Sequence, residues 1–231
     1  MAKKKRERFK EVLGFDNVVQ AGINEVFNQK HFLYGKWSEV FFGSRKPIVI
    51  ELGCGKGEYT VGLARLFPEK NFIGIDVKGA RLWKGAKFAF ENKMQNVGFL
   101  RTRIEFISSF FSSDEVEEIW LTFPDPQLKK ARKRLTSAGF LNRYRLFLKS
   151  GGVVHLKTDS IKLHEYTLSL ITANRLEMLE ATIDLYGSET INEMLSIRTY
   201  YEQHFLDQGK SISYLKFRID STSEIKEPDG K

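Results

Sequence analysis

The sequence predicts a doubly wound α/β domain with a mostly parallel sheet of seven strands. Two observations carry that prediction. From residue 47 to about 220, short apolar runs alternate with stretches of helical spacing, and the chain's distinctive motifs fall at the C-terminal ends of the predicted strands, where ligands of such sheets sit.

The first strand is Ile48, Val49, Ile50, Glu51 and Leu52, an apolar run broken by one acid, as expected of a strand covered on both faces. A glycine-rich turn follows, then helical spacing over 59–67, a second strand over 71–77, a helix over 79–93, a third strand over 97–103 and a fourth over 118–123. Beyond a basic loop, 137–149 reads as helix, 152–158 as the fifth strand and 161–174 as another helix. Strand candidates at 176–186 and 211–220, with 190–208 between them, complete the seven. Residues 1–46 read as a basic N-terminal arm, flexible over its first ten residues, with lead-in helices; 47–220 form the domain and 221–231 a flexible tail.

With 231 residues, 42% of them hydrophobic, the chain suffices for one well-filled α/β domain and not for two large ones. The net charge of +8 is compatible with a polyanionic partner and equally with a solvated basic surface, so the motifs must decide. The single cysteine, Cys54, excludes an intrachain disulfide and a multi-thiolate metal site, and no metal is expected. The basic start is not followed by a signal-type apolar run, and no apolar stretch is of membrane-spanning length, so the expectation is a cytoplasmic protein without a membrane partner.

The first strand runs into Gly53, Cys54, Gly55, Lys56 and Gly57, where glycines at alternate positions permit a sharp turn and close approach of backbone to a ligand. Glu51 lies at the strand end, where a carboxylate needs cationic or hydrogen-bonding company such as the ammonium of a methionine moiety. Asp76 ends the second strand, placed to accept bonds from two ribose hydroxyls. A dinucleotide fingerprint has two residues between its last glycines; here one separates Gly55 from Gly57, which argues against a nicotinamide dehydrogenase. Cys54 is a small residue in a tight turn, with no histidine nearby to make it a nucleophile.

After the fourth strand, Pro124 and Pro126 lock the backbone on either side of Asp125 and present its carboxylate at the sheet edge. Five cations, Lys129, Lys130, Arg132, Lys133 and Arg134, follow within six residues and are suited to tracking phosphates. His155 sits in an apolar strand and reads as a core residue, whereas Tyr200 and Tyr201 suit either a helix face that packs or aromatic support for an unstacked base.

The glycine motif with Glu51, the Gly74-Ile75-Asp76 strand end, Phe123-Pro124-Asp125-Pro126 with its basic tail, Lys157-Thr158-Asp159 and Thr199-Tyr200-Tyr201-Glu202 together resemble the bacterial tRNA (guanine-N7-)-methyltransferases over residues 47 to 218. The resemblance implies a Rossmann-like class I methyltransferase fold, S-adenosylmethionine as cofactor, and transfer of its methyl to N7 of a tRNA guanine in the variable loop. It implies that Glu51, Gly53, Gly55 and Asp76 hold the cofactor, that Asp125 belongs to both cofactor site and catalytic centre, and that Lys129, Asp159, Thr199 and Glu202 contact the guanosine. Two positions depart from the family pattern: Gln127 stands where a tryptophan is usual, and Arg103 where an acid usually meets the adenine amino group, with Glu105 the nearest substitute. Methylation of another nucleic-acid atom, or RNA binding without catalysis, are the alternative readings, and monomer and homodimer are both open.

Overall fold

The structure, a computed structural model, describes residues 2–219 and 223–228, with side chains from residue 6 onward. Among these residues, eight strands form one sheet: β1 (Val18–Gln20), β2 (Ile48–Leu52), β3 (Asn71–Asp76), β4 (Val97–Arg101), β5 (Val116–Thr122), β6 (Leu148–Thr158), β7 (Met178–Thr182) and β8 (Ser213–Arg218). Their order is β1-β4-β3-β2-β5-β6-β8-β7. Pairings from β1 through β6 are parallel, and β8 runs antiparallel to both β6 and β7. The helices are α1 (Ala2–Val12), α2 (Ile23–Val26), α3 (Glu58–Leu66), α4 (Gly79–Glu91), α5 (Ala138–Tyr144), α6 (Ile161–Ala173) and α7 (Tyr200–Asp207).

This is the doubly wound class that the sequence predicts, with one strand more. The chain leaves β2 toward β3 and β4 on one side and leaves β5 toward β6 on the other, so the neighbours β2 and β5 bound the crevice at the switch point. The helix expected over 137–149 stops at Tyr144. Leu148 already pairs with Val116, the register then shifts past Gly151 (φ 70°), and the ladder resumes at Val153 opposite Glu118.

Both ends are more ordered than expected. The start of the presumed arm is helix α1, packed on α4: Trp83 Nε1 donates to Glu11 at 2.7 Å, the Arg8 guanidinium lies 4.6 Å from the Trp83 ring centre, and Arg101 lies 4.3 Å from that of Phe9. Strand β1, three residues long and so too short to show a period, extends the sheet by pairing Val18 with Phe99. Trp37 is wholly buried, with Nε1 donating to the Phe110 carbonyl at 2.9 Å. At the other end, Ile225 is buried and Glu227 accepts from the Ala138 amide at the start of α5 (3.1 Å) and from the Tyr166 hydroxyl (2.5 Å). Residues 220–222 and 229–231 of the expected tail lie outside the described residues.

Strand alternation divides the core between the two sheet faces. Ile48, Ile50 and Leu52 join Ile73, Ile75, Ile119 and Leu121 on the face covered by α5 and α6. Val49, Phe72 and Trp120 face α3 and α4. Glu51 falls in the second set by its register, and the helix above it supplies its partners.

Candidate functional site

The turn after β2 is built from three glycines with left-handed backbone, Gly53 (φ 81°), Gly55 (φ 56°) and Gly57 (φ 71°). They serve different ends. A Cβ on Gly57 would fall 2.6 Å from Phe99 Cε1 and 3.2 Å from the Gly85 Cα, so this glycine lets α3 and α4 pack closely. A Cβ on Gly53 or Gly55 would meet no protein atom nearer than 3.9 Å, which leaves open space above the backbone for a ligand.

The two acids beside this turn are both enclosed. Glu51 is 2% exposed and accepts from the Thr60 amide at 2.9 Å, from the Thr60 hydroxyl and from the Thr122 hydroxyl of β5. Burial dominates and pushes its carboxyl up to about 7 despite these donors. Asp76 accepts from the Gly55 amide at 3.0 Å through Oδ2 and from the Lys78 amide at 2.7 Å through Oδ1, so it locks the glycine turn to the start of α4. Each of its oxygens retains acceptor capacity.

An open cleft of about 860 Å³ lies against this turn, lined by Gly53, Asp76, Arg81 and Thr102 on one side and by Gln127, Arg132 and Lys133 on the other. Arg103 and Glu105, the positions that depart from the family pattern and its nearest substitute, also line it and lie 3.4 Å apart as an ion pair. Gln127 takes its place in the wall where a tryptophan was the family norm. Cys54 is buried, and burial raises its thiol well above the ordinary range, which removes it as a nucleophile.

Asp125 is exposed at the end of β5, and its Oδ1 accepts from the Gln127 amide at 3.0 Å. The loop is bounded by two non-glycine residues in left-handed conformation, Phe123 (φ 50°) and Gln127 (φ 45°), a costly arrangement of the kind found at functional turns. Lys129, Lys130 and Lys133 of the following loop are exposed. Arg134, expected among the phosphate-tracking cations, is instead 8% exposed: Nε donates to the Pro126 carbonyl at 3.0 Å and the guanidinium lies 4.2 Å from the Tyr166 ring centre. It braces the proline-flanked loop from beneath.

The remaining expected residues do not converge on open space alike. Asp159, after β6, forms an ion pair with Lys210 at 3.1 Å and is partly accessible. Thr199 and Glu202 form a capping box at the start of α7, the Thr199 hydroxyl accepting from the Glu202 amide at 3.1 Å and the Glu202 carboxylate from the Thr199 amide at 3.3 Å. Glu202, expected at the guanosine, is wholly buried. Its Oε1 lies 2.7 Å from Lys157 Nζ and accepts from the Tyr186 hydroxyl at 2.7 Å. Lys157, also wholly buried, donates further to the carbonyls of Leu195 (2.6 Å) and Ile197 (3.2 Å), and burial lowers its ammonium's pKa despite Glu202. The Thr-x-x-Glu element is therefore a helix cap pinned from β6, and it presents Tyr200 and Tyr201, which are 59% and 39% exposed rather than packed in the core. The same cap rests on the glycine turn, since the Tyr200 amide donates to Glu58 at 2.7 Å.

What the sequence did not show are roles that depend on register or packing: Thr60 and Thr122 around Glu51, the support that Lys157, quoted only as part of a motif, gives α7, and Gly139, Phe140 and Arg143, which wall the cleft from α5. The Thr122 hydroxyl had a faint signal, being two positions from Trp120 and so on the same sheet face. His155 is a core residue, as expected, stacked 3.8 Å from Trp120 and bonded to the Tyr214 hydroxyl at 2.7 Å. No helix of the described residues is long and apolar enough to cross a membrane.

Comparison with known proteins joins these features to a family. Residues 45–215 match the family model described as "Putative methyltransferase". The tRNA (guanine-N(7)-)-methyltransferase of Bacteroides thetaiotaomicron is 52% identical over 99% of this chain and 91% of its own, and that of Christiangramia forsetii 52% identical over 94% and 99%. In fold, the chain is similar to the crystal structure of the 16S rRNA methyltransferase KamB, with a TM-score of 0.60 at 15% identity over 76% of this chain and 88% of that one. Identity at this level over nearly the whole length of both chains places this protein in the tRNA (guanine-N(7)-)-methyltransferase family.

Proposed function

We propose that this enzyme transfers the methyl group of S-adenosylmethionine to N7 of a guanine in the tRNA variable loop, with Asp125 at the reacting centre. The observation that carries this reading is the placement of an exposed, backbone-locked carboxylate beside a cleft whose glycine wall is open to a ligand.

The residues present fit the cofactor. Gly53 and Gly55 leave backbone accessible, Asp76 keeps free lone pairs at the cleft wall for ribose hydroxyls, and Glu51 sets the turn from below through Thr60 and Thr122. When bound, S-adenosylmethionine supplies an electrophilic methyl on a sulfonium. Guanine N7 carries a lone pair and no proton, so the protein needs no general base; its work is to orient and to stabilise charge. Asp125 accepts from guanine N1–H and the exocyclic amine and opposes the positive charge that develops on the purine. Asp159 is the second carboxylate on the guanosine side, Lys129 meets the adjoining phosphate, and Thr199 with Glu202 act by fixing the helix that carries Tyr200 and Tyr201. Glu105, paired with Arg103 in the cleft wall, or a backbone group there takes the part of the missing adenine acid.

The test is incubation of the protein with methyl-labelled S-adenosylmethionine and unmodified tRNA, followed by nucleoside analysis and mapping of the label. Labelled 7-methylguanosine in the variable loop is expected. Another methylated nucleoside would overturn the acceptor atom, label elsewhere in the tRNA the position, and bound tRNA without label the catalytic reading.

A further inference from the structure

Beyond Arg81, which lines both, the cofactor cleft has a neighbouring cavity of about 380 Å³ walled by Arg8, Lys56, Ala80, Arg81, Trp83 and Lys84. Four of these six residues are cations and none is an acid. They come from α1, from the glycine turn and from α4, so no run of charge in the sequence announces them.

Aromatic rings and one carboxylate surround the cations. The Lys56 ammonium lies 3.4 Å from the Tyr200 ring centre, the Arg81 guanidinium 5.9 Å from that of Tyr201, and Arg8 4.6 Å from that of Trp83. Lys84 is paired with Glu58 at 2.9 Å, and Glu11, which accepts from Trp83 Nε1 at 2.7 Å, lies near enough to Arg8 for the two charges to attract. Among the described residues, neither Lys56 nor Arg81 is within ion-pair distance of a carboxylate. Arg8 and, at 5.2 Å, Lys87 both lie over the Trp83 indole, so the ring is already engaged by cations and is not free to stack a base. What the cavity offers is a surplus of positive charge, unopposed by a carboxylate at Lys56 and Arg81, on a wall whose Trp83 ring is already covered, which matches a phosphodiester.

We propose that this cavity seats the sugar-phosphate backbone of the RNA substrate. The inference rests on the methyl-transfer reading above and deepens it. Arg132 and Lys133 bring charge to the cleft from the proline-loop side, and this cavity brings it from the α4 side. The strand is anchored at two points with the target nucleotide between them, and the aromatic pair Tyr200 and Tyr201 ties the second anchor to α7. Helix α1, which contributes Arg8, is thereby part of the RNA interface.

The test uses the Arg8→Gln/Lys84→Gln double variant, since neither residue lines the cofactor cleft. Retention of tRNA on the protein, with S-adenosylhomocysteine present, is measured across a salt series. The dissociation constant at moderate salt is expected to rise about 10-fold, and the slope of log affinity against log salt to fall by about 1 to 2, the loss of two phosphate contacts. Cofactor affinity and turnover at saturating tRNA stay at wild-type values, and Arg8→Lys/Lys84→Arg restores the slope. An unchanged slope overturns the inference, as does weakened cofactor binding at unchanged slope, which marks a structural disturbance. Wild-type protein that methylates tRNA while the double variant keeps its slope leaves the proposed function standing and removes only this site; wild-type protein that retains no tRNA removes both.

Discussion

The two walls of the cleft handle charge in opposite ways. On the wall made by the glycine turn and β3, and behind it at α7, the carboxylates are enclosed and held by the fold: Glu51 by two threonines, Asp76 by two backbone amides with a lone pair to spare on each oxygen, Glu202 by Lys157, Tyr186 and its own helix. On the wall made by the proline-flanked loop, Asp125 stands in solvent with one local backbone bond, and Lys129 is exposed beside it. An enclosed charge that loses its partner costs several kcal/mol of folding, whereas an exposed one gains its leverage only when a ligand displaces the surrounding water. The first wall therefore uses its carboxylates chiefly to hold shape, Asp76 also facing the cleft, and the second leaves its carboxylate open to a ligand.

The strongest way to break this contrast is Glu202→Ala, which strands the Lys157 ammonium in the core. Its expected cost is about 3–5 kcal/mol of stability, read as a fall of about 10 °C in the thermal midpoint. A variant that melts like wild type but turns over slowly would move Glu202 to the chemical wall.

Glu51 sharpens the comparison through pH. Its folded carboxyl is pushed up by burial to about 7 from 4.5, so the folded state holds the proton more tightly than the unfolded chain does. The stability contributed is fully present below about pH 4.5 and is lost as pH rises toward 7, on the order of 3 kcal/mol in all. Urea unfolding at several pH values should show Glu51→Gln flattening that slope; identical slopes for both proteins would mean that Glu51 is not enclosed in solution.

For Asp125→Ala the expectation is reversed. Turnover falls at least ~100-fold, equivalent to about 2.7 kcal/mol of barrier, while the thermal midpoint and the cofactor affinity stay near wild type. Near-normal turnover in single-turnover assays would remove the carboxylate from the reacting centre.

The smallest effect is expected from Lys129→Gln with Lys130→Gln. Affinity for tRNA should drop several-fold with a salt slope lower by about 1, and turnover at saturating tRNA should hold. A lowered turnover instead would place this loop in catalysis rather than in phosphate contact.

The linear chain determined the features that repeat or that cannot be moved. Apolar runs of strand length, helical spacing between them and glycines where a turn needs left-handed backbone are local properties, and seven strands and the crevice end of the sheet were legible from them. So was the presentation of the Asp125 carboxylate at the sheet edge, because flanking prolines constrain their neighbour wherever the loop lies. Tertiary structure alone decided which charges face inward. Arg134 belongs to a run of cations in sequence but turns under the loop to Tyr166, and Glu202 and Lys157, far apart in the chain, meet in the core because β6 ends beneath α7. Strand β1 and helix α1 escaped notice for the same reason: three residues show no period, and a basic helix shows its role only once α4 offers Trp83 to pack against. Period and turn chemistry are written in neighbours along the chain, whereas burial, ion pairing and the joining of α1, the glycine turn and α4 into one cation-lined cavity depend on residues that only folding brings together.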